Sequence, residues 1–231
     1  MSSLLRSPAP SVRTRAAAPL LRAGAVCAFL ALAVLVPVAA RWSPLMRLDR
    51  DIAQALHRRA VVEPGFVRVN RVLTDWVWDP WTMRALIAVV AVVLWWRGAR
   101  LLAVWVAVTA VVANVLQQAL KAAVGRPRPH WPDPVDSAHY AAFPSGHAMT
   151  ATVSCGLLVW LVHRSGAGRG VRWTVLGLAV LSVLGVGLTR LYLGVHWPSD
   201  VLGGWLLGAA LAALAAGAYE RRESRHPTGS G

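Results

Sequence analysis

Three basic residues in the second half of the chain have few acidic neighbours. They are Lys121, Arg128 and Arg190, and Asp200 is the one acid between residues 137 and 219. If these cations converge, they need an anion to balance them. Phosphate fits this requirement, because arginine donates paired hydrogen bonds to its oxygens.

A Pro144-Ser145-Gly146-His147 sequence stands directly before a long apolar run. A helix that begins there leaves its first backbone N–H groups free and presents the positive end of its dipole. Gly146 lets the backbone approach a ligand closely, because glycine has no Cβ. Ser145 and Gly146 are therefore candidate phosphate-binding residues.

Two histidines, His147 and His196, could supply a nucleophile and an acid. A neutral imidazole can attack phosphorus, while a protonated imidazole can donate to the leaving oxygen. Asp200 follows His196 by four residues, so its carboxylate could accept the Nδ1–H and leave Nε2 free to attack. The cations would stabilise the charge on the equatorial oxygens of the transferred group.

The elements that would carry these residues are membrane helices. The chain has 231 residues, of which 56% are hydrophobic, and a mean hydropathy of +0.51. Soluble domains are nearer ~45–50% apolar, and runs of roughly 17–25 apolar residues cross a bilayer as helices. Six apolar runs occupy about 19–40, 82–96, 101–121, 147–162, 173–190 and 198–219. The sequence predicts an all-α integral-membrane bundle of about six transmembrane helices.

Segment 41–80, between the first two runs, mixes charged residues with apolar residues at helical spacing. This pattern predicts short amphipathic helices at the membrane interface. Trp76, Trp78 and Trp81 fit the aromatic belt at that interface. The predicted organisation is a disordered basic cytoplasmic tail over 1–18, a six-helix domain over 19–219 and a short cytoplasmic tail over 220–231.

Six helices place the candidate residues at one membrane face. Lys121 and Arg190 end the third and fifth helices, whereas His147 and Asp200 begin the fourth and sixth. These ends all lie opposite the N-terminus. Arginines cluster at the other helix ends, which the positive-inside rule assigns to the cytoplasm. The arginines of segment 41–71 fall on the opposite side, and we assign them to the membrane surface. The candidate site is thus expected on the extracytoplasmic face.

Together these residues resemble a known family. The three signature motifs of the type-2 phosphatidic acid phosphatase superfamily are matched by Lys121-(six residues)-Arg128-Pro129, by Pro144-Ser145-Gly146-His147 and by Arg190-(five residues)-His196-(three residues)-Asp200. One such motif is weak, but three in the right order are specific. The superfamily includes membrane lipid phosphatases and soluble vanadium haloperoxidases, and the membrane character of this chain favours the former.

The resemblance implies a role for each matched residue. His196 would be the nucleophile that forms a phosphohistidine, Asp200 its partner, and His147 the acid for the leaving group. Phosphate would be bound by Lys121, Arg128, Ser145, Gly146 and Arg190. No metal ion and no cofactor are implied.

Two positions near the motifs need an interpretation of their own. Thr189 stands where the family usually has a serine before the third-motif arginine. Arg126 forms a second Arg-Pro pair at the wrong distance from Lys121, and we interpret it as a contact at the rim of the site.

Other features of the sequence are given plainer interpretations. The net charge of +14 at pH 7 comes from residues that punctuate the apolar runs, so a nucleic-acid partner is not expected. His130, Asp133, Asp136 and His139 lack the spacing of metal ligands and are interpreted as loop residues. His57, His163 and His226 are interpreted as surface residues, and Cys27 and Cys155 as small core residues.

The sequence therefore predicts a multi-pass lipid phosphatase of a bacterial inner membrane. The candidate substrates are undecaprenyl diphosphate, phosphatidic acid and phosphatidylglycerol phosphate. A lipid phosphotransferase and a non-enzymatic lipid-binding membrane protein are the alternatives. Binding alone would need only the cations, so the two histidines and Asp200 favour an enzyme.

Overall fold

The fold is known from a computed structural model that describes residues 10–225. Within that range every regular element is helical, which confirms the all-α prediction. The helices are α1 Pro10–Ala39, α2 Ser43–Val62, α3 Pro64–Val72, α4 Pro80–Trp96, α5 Arg100–Val124, α6 Gly146–Arg164, α7 Arg169–Tyr192 and α8 Pro198–Arg225. A π-helical turn, Leu73–Val77, follows α3.

Six segments of the described chain are long and apolar enough to span a membrane, which confirms the predicted number. They are Ala17–Ala39, Pro64–Trp96, Arg100–Val124, Gly146–Arg164, Arg169–Tyr192 and Pro198–Arg225. The second contains α3 as well as α4. Helix α2 is not among them, whereas α3, which lies in the segment 41–80 that was predicted to be interfacial, belongs to the second candidate span.

The helices at both ends of the described chain extend beyond the predicted domain. Helix α1 begins at Pro10, so the second half of the predicted tail 1–18 is helical. Helix α8 likewise continues through Arg225 into the predicted tail 220–231. Residues 1–9 and 226–231, which include His226, lie outside the described residues.

Small residues allow α8 to pack closely against α6. A Cβ on Gly204 would lie 2.8 Å from the carbonyl oxygen of Ser145, and one on Gly208 would lie 2.7 Å from Cβ of Thr152. Both distances are far inside van der Waals contact, so neither position has room for a larger residue. The N-terminal half of α8 is thereby held close against the first two turns of α6.

Local sequence signals set the helix ends near the face that carries the candidate residues. Asp79 caps α4 by accepting hydrogen bonds from the backbone N–H groups of Trp81 and Thr82, at 2.7 and 3.1 Å, as expected of an N-cap aspartate. Gly125 ends α5 with a φ of +56°, the left-handed conformation that glycine adopts readily at helix ends. The chain then turns into the loop 125–145.

The tryptophan belt is only partly confirmed. Trp76 and Trp81 are exposed, as interfacial residues should be. Trp78 is buried, and its ring lies within 3 Å of where a Cβ on Gly185 would sit. Trp78 therefore packs the end of the π-helical turn against α7 instead of facing the lipid.

Candidate active site

The predicted site residues meet at one end of the bundle. Lys121 and Arg190 lie in the last turns of α5 and α7, and Asp200 lies in the first turn of α8. His147 is within electrostatic range of His196, Lys121 and the two predicted phosphate-binding arginines. The convergence deduced from helix order is present in the structure.

The buried imidazole of His196 is oriented by contacts at both ring nitrogens. Its Nε2 lies 3.1 Å from Nη1 of Arg128, and its Nδ1 lies 3.4 Å from Oδ2 of Asp200. A guanidinium only donates, so Nε2 must accept, which assigns the ring proton to Nδ1 on the side of Asp200. The 3.4 Å separation is long for a hydrogen bond, a common feature of unliganded catalytic sites.

His196 is electrically neutral in this setting. Its side chain is 1% exposed, and burial lowers its pKa well below the ordinary value. The charges of Arg128, Arg190 and Lys121 act in the same direction. A neutral imidazole with its proton on Nδ1 has a free electron pair on Nε2, which is the form that can attack phosphorus.

Asp200 is fully buried and bound on both oxygens. Oδ2 accepts the backbone N–H of Trp197 at 2.9 Å, and Oδ1 accepts Nη1 of Arg126 at 2.6 Å. The same guanidinium donates to Oδ2 of Asp49 at 2.6 Å. The interpretation of Arg126 as a rim contact was therefore wrong, because its side chain is 7% exposed and lies between two carboxylates.

Sequence reasoning missed both Arg126 and Asp49. The available signal was the scarcity of acids, since the chain has only 10 Asp and Glu residues. A carboxylate in an interfacial helix would then be expected to have a specific partner. Motif spacing measured from Lys121 directed attention to Arg128 instead.

The positive charges of the other basic residues at the site are not fully balanced by nearby carboxylates. Among the described residues, Lys121 and Arg128 form no ion pair with a carboxylate. Lys121 donates to the backbone carbonyl of Ala141. Nη1 of Arg190 lies 3.3 Å from Oγ1 of Thr74 and 3.9 Å from Oδ2 of Asp136. Asp136 is thus a distant acidic neighbour that the sequence did not show.

Arg128 is held by backbone oxygen atoms from two segments. It donates to the carbonyls of His139, Tyr140 and Val195, at 3.0, 2.9 and 2.7 Å. Burial lowers its pKa to about 10, with a further contribution from the charge of Arg190. Two cations that repel each other while partly buried favour a bound anion.

Three buried side-chain atoms beside these cations have no hydrogen-bond partner within the part of the chain that the structure describes. They are Oγ of Ser145, Nε of Arg190 and Nδ1 of His196, which faces Asp200 without a formed hydrogen bond. Ser145 is the N-cap residue of α6, yet its hydroxyl makes no capping hydrogen bond. A Cβ on Gly146 would lie 2.8 Å from Nε2 of Gln117. The first turn of α6 thus offers free donors in a confined space, as an anion site requires.

Thr189 does not point a free hydroxyl at these donors. Its Oγ1 donates to the carbonyl oxygen of Val186 at 2.8 Å, within α7. The residue next to Arg190 therefore contributes to the helix end, and the threonine at a position where serine was expected leaves the cation cluster unchanged.

The loop 125–145 is attached to α2 through His57, which was wrongly interpreted as a surface residue. His57 is buried, stacks on Trp131 at a centroid distance of 4.2 Å, and its Nε2 lies 3.0 Å from Oδ1 of Asp133. The hydrogen bond from His57 holds the pKa of Asp133 below its ordinary value. Two of the loop residues thus have structural partners.

Comparison with known proteins places the site within a recognised region. The family model for the PAP2 superfamily matches residues 102–224, which include all eight predicted site residues. A crystal structure of a transmembrane PAP2-type phosphatidylglycerolphosphate phosphatase from Bacillus subtilis has the same fold. Its TM-score is 0.68, with 22% identity, and the match covers 86% of this chain and 96% of that one.

Curated relatives are similar over part of the chain. An undecaprenyl-diphosphatase from Sulfolobus acidocaldarius is 30% identical over 149 residues, 61% of this chain and 62% of the relative. A phosphatidylglycerophosphatase B from Bacillus subtilis is 34% identical over 110 residues, 47% of this chain and 53% of the relative. The matched region thus spans little more than half the length of these relatives.

Proposed function

The chain belongs to the PAP2 superfamily, and on that premise we propose that it is a membrane phosphatase acting on a lipid phosphate or diphosphate. The observation that carries the proposal is the neutral, buried His196, with Nδ1 facing Asp200 and Nε2 facing the cation cluster. Anion binding alone does not require this arrangement, whereas nucleophilic attack on phosphorus does.

The reaction would proceed in two displacements. Nε2 of His196 attacks phosphorus, the bond to the lipid oxygen breaks, and protonated His147 gives its proton to that oxygen. A water molecule then gives a proton to His147 and attacks the phosphohistidine, which releases inorganic phosphate and restores both histidines. Microscopic reversibility favours one residue for both proton transfers.

The basic residues would stabilise the transferred group throughout. Lys121, Arg128 and Arg190, with the free donors of Ser145 and Gly146, surround the equatorial oxygens and replace the positive charge that a metal ion would supply. Arg128 must release Nε2 of His196 when substrate binds, and it can do so by turning the same Nη1 toward a phosphate oxygen. We therefore propose a metal-independent mechanism.

The position of the site favours a lipid substrate. It lies at one end of a six-span bundle, where an amphiphile can present its headgroup while its tail stays in the bilayer. The relatives' names include diphosphate and phosphoglycerol lipids, and we extend this substrate class to the present chain. We place the site on the extracytoplasmic face of a bacterial inner membrane, because basic residues flank the opposite helix ends.

Phosphate release by the detergent-purified protein tests this function. Undecaprenyl diphosphate, phosphatidic acid and phosphatidylglycerol phosphate are supplied separately, each with excess EDTA. We compare the wild type with His196→Ala, and use His163→Ala, at the exposed far end of α6, as the matched control. Release that survives EDTA, persists in the control and disappears in His196→Ala is the expected result.

Other outcomes would overturn specific parts of the proposal. Release that EDTA abolishes would remove the metal-independent mechanism. Equal release by His196→Ala would remove the phosphohistidine. If the substrate carries a labelled phosphate, label that accumulates on His196 and passes to an alcohol but not to water would indicate a phosphotransferase.

A further inference from the structure

Both terminal nitrogens of the Arg126 guanidinium donate to protein acceptors. Nη1 donates to Asp200 and to Oγ of Ser199, at 2.6 and 2.7 Å, and Nη2 donates to Asp49 at 2.6 Å. The ring of Trp197 lies 5.6 Å from its Cζ. Because both terminal nitrogens are occupied by carboxylates, they are not free to bind a substrate phosphate.

Asp49 is equally committed to this cluster. Its Oδ1 accepts the backbone N–H of Ser199 at 2.9 Å, and its Oδ2 accepts the Ser199 hydroxyl at 2.5 Å in addition to Arg126. The carboxylate is 1% exposed although α2 is amphipathic. A buried charge with this many hydrogen bonds holds its neighbours in one arrangement, because moving any of them leaves a charge unpaired.

We propose that Arg126 and Asp49 are positioning residues for the His196–Asp200 pair, an inference that rests on the proposed function. Asp49 fixes Arg126, Arg126 fixes Oδ1 of Asp200, and Oδ2 is left to face His196. Asp49 also binds the backbone at Ser199, so the first turn of α8 is fixed on both sides of the carboxylate.

The connection assigns a role to α2 that its sequence does not suggest. This helix is not one of the six candidate spans, and Asp49 lies 77 residues before Arg126 and 151 before Asp200. The orientation of the nucleophile therefore depends on an interfacial helix. In metal sites, removing the hydrogen-bond partners that orient the ligands typically costs about 10–100-fold in activity, and we expect an effect of the same order here.

A double-mutant cycle on the full-length protein in detergent tests the inference. Arg126→Lys keeps the charge but loses the planar fork that bridges two carboxylates, and Asp49→Asn removes one arm of the bridge. Each is made in the wild type and in Asp200→Asn. Asp51→Asn is the matched control, because it makes the same chemical change at an exposed position of α2.

We expect Arg126→Lys and Asp49→Asn to lower kcat by about 10–100-fold, while KM and inhibition by orthovanadate stay within about twofold. Either change should add less than about threefold in the Asp200→Asn background, because the residue through which it acts is already altered. Asp51→Asn should leave kcat unchanged. A drop in kcat without a change in affinity is the signature of orientation.

Three results would overturn the inference. The first is weaker orthovanadate inhibition in Arg126→Lys, as expected for a direct phosphate ligand. The second is a loss that multiplies in full in the Asp200→Asn background. The third is unfolding of both variants in detergent, followed by tryptophan fluorescence, which would make the cluster purely structural. An active wild type with an inactive His196→Ala keeps the proposed function even if the positioning role fails, whereas an inactive wild type removes both.

Discussion

The two ends of the bundle use arginine in opposite ways. At the end away from the site, Arg164 is balanced by Glu220 at 2.9 Å and by Glu223 at 2.6 Å, and Trp160 donates to the same Glu220. At the site end, Arg190 reaches its only ion-pair partner within the described chain at 3.9 Å and has a buried Nε without a partner. The first arrangement is complete in itself, whereas the second requires a ligand.

This difference separates structural charge from functional charge. An ion pair that is fully hydrogen-bonded gains little from any ligand, because its desolvation is already offset. Cations that are buried together with only distant acidic neighbours are held in place by the fold, and their burial becomes favourable when an anion binds. Arg126 belongs to the first kind although it lies at the site end, and we therefore expect that it does not bind the phosphate.

Replacing Arg190 and Arg164 in turn should give the largest difference in activity between the two ends of the bundle. Arg190→Ala should lower kcat/KM by about 10²–10³-fold, because the transferred phosphoryl group loses a charged hydrogen-bond donor. Arg164→Ala should leave kcat/KM within about threefold in the protein that remains folded. Phosphate release normalised to folded protein measures both, and equal losses would contradict the comparison.

Stability should respond in the reverse order. Arg164→Ala leaves Glu220 buried and without its cation, and should lower the free energy of unfolding by about 2 kcal/mol, below the full cost of a buried pair because Arg164 retains some exposure. Arg190→Met should cost less or even stabilise the unliganded protein, since it relieves repulsion between cations. Thermal unfolding in detergent gives the ranking, with the exposed Arg172→Ala as the control.

Most of the fold could be predicted from the sequence, but the hydrogen bonds and ion pairs around Asp200 could not. Apolar runs identify the spans because the bilayer imposes their length, and short connections then decide which helix ends meet. Asp49, His57 and their partners could not be found this way. Each pairs with a residue more than 70 positions away, on a segment whose pattern shows an interfacial helix but not its position around the bundle.

The buried His196 should make the stability of the protein depend on pH, whereas the exposed His163 at the other end of the bundle should not. The pKa of His196 is lowered by burial, so the unfolded chain binds a proton near pH 6.5 that the folded protein does not. Stability is therefore retained above about pH 6.5 and lost below it, by about 1.4 kcal/mol one pH unit lower. His196→Asn should remove this part of the slope between pH 7 and pH 5.5, and the exposed His163→Asn should not.

The smallest effect is expected at Thr189, which precedes Arg190 in the last turn of α7. Thr189→Val keeps the shape of the side chain but removes the hydroxyl, whose hydrogen bond is to the carbonyl of Val186 in the same helix. Because that carbonyl can still accept from the helix backbone, kcat/KM should change by less than about twofold, or about 0.4 kcal/mol. A loss above tenfold would mean that the hydroxyl turns to the phosphate during the reaction, and Thr189 would then join the residues at this end whose polar groups are held ready for a ligand.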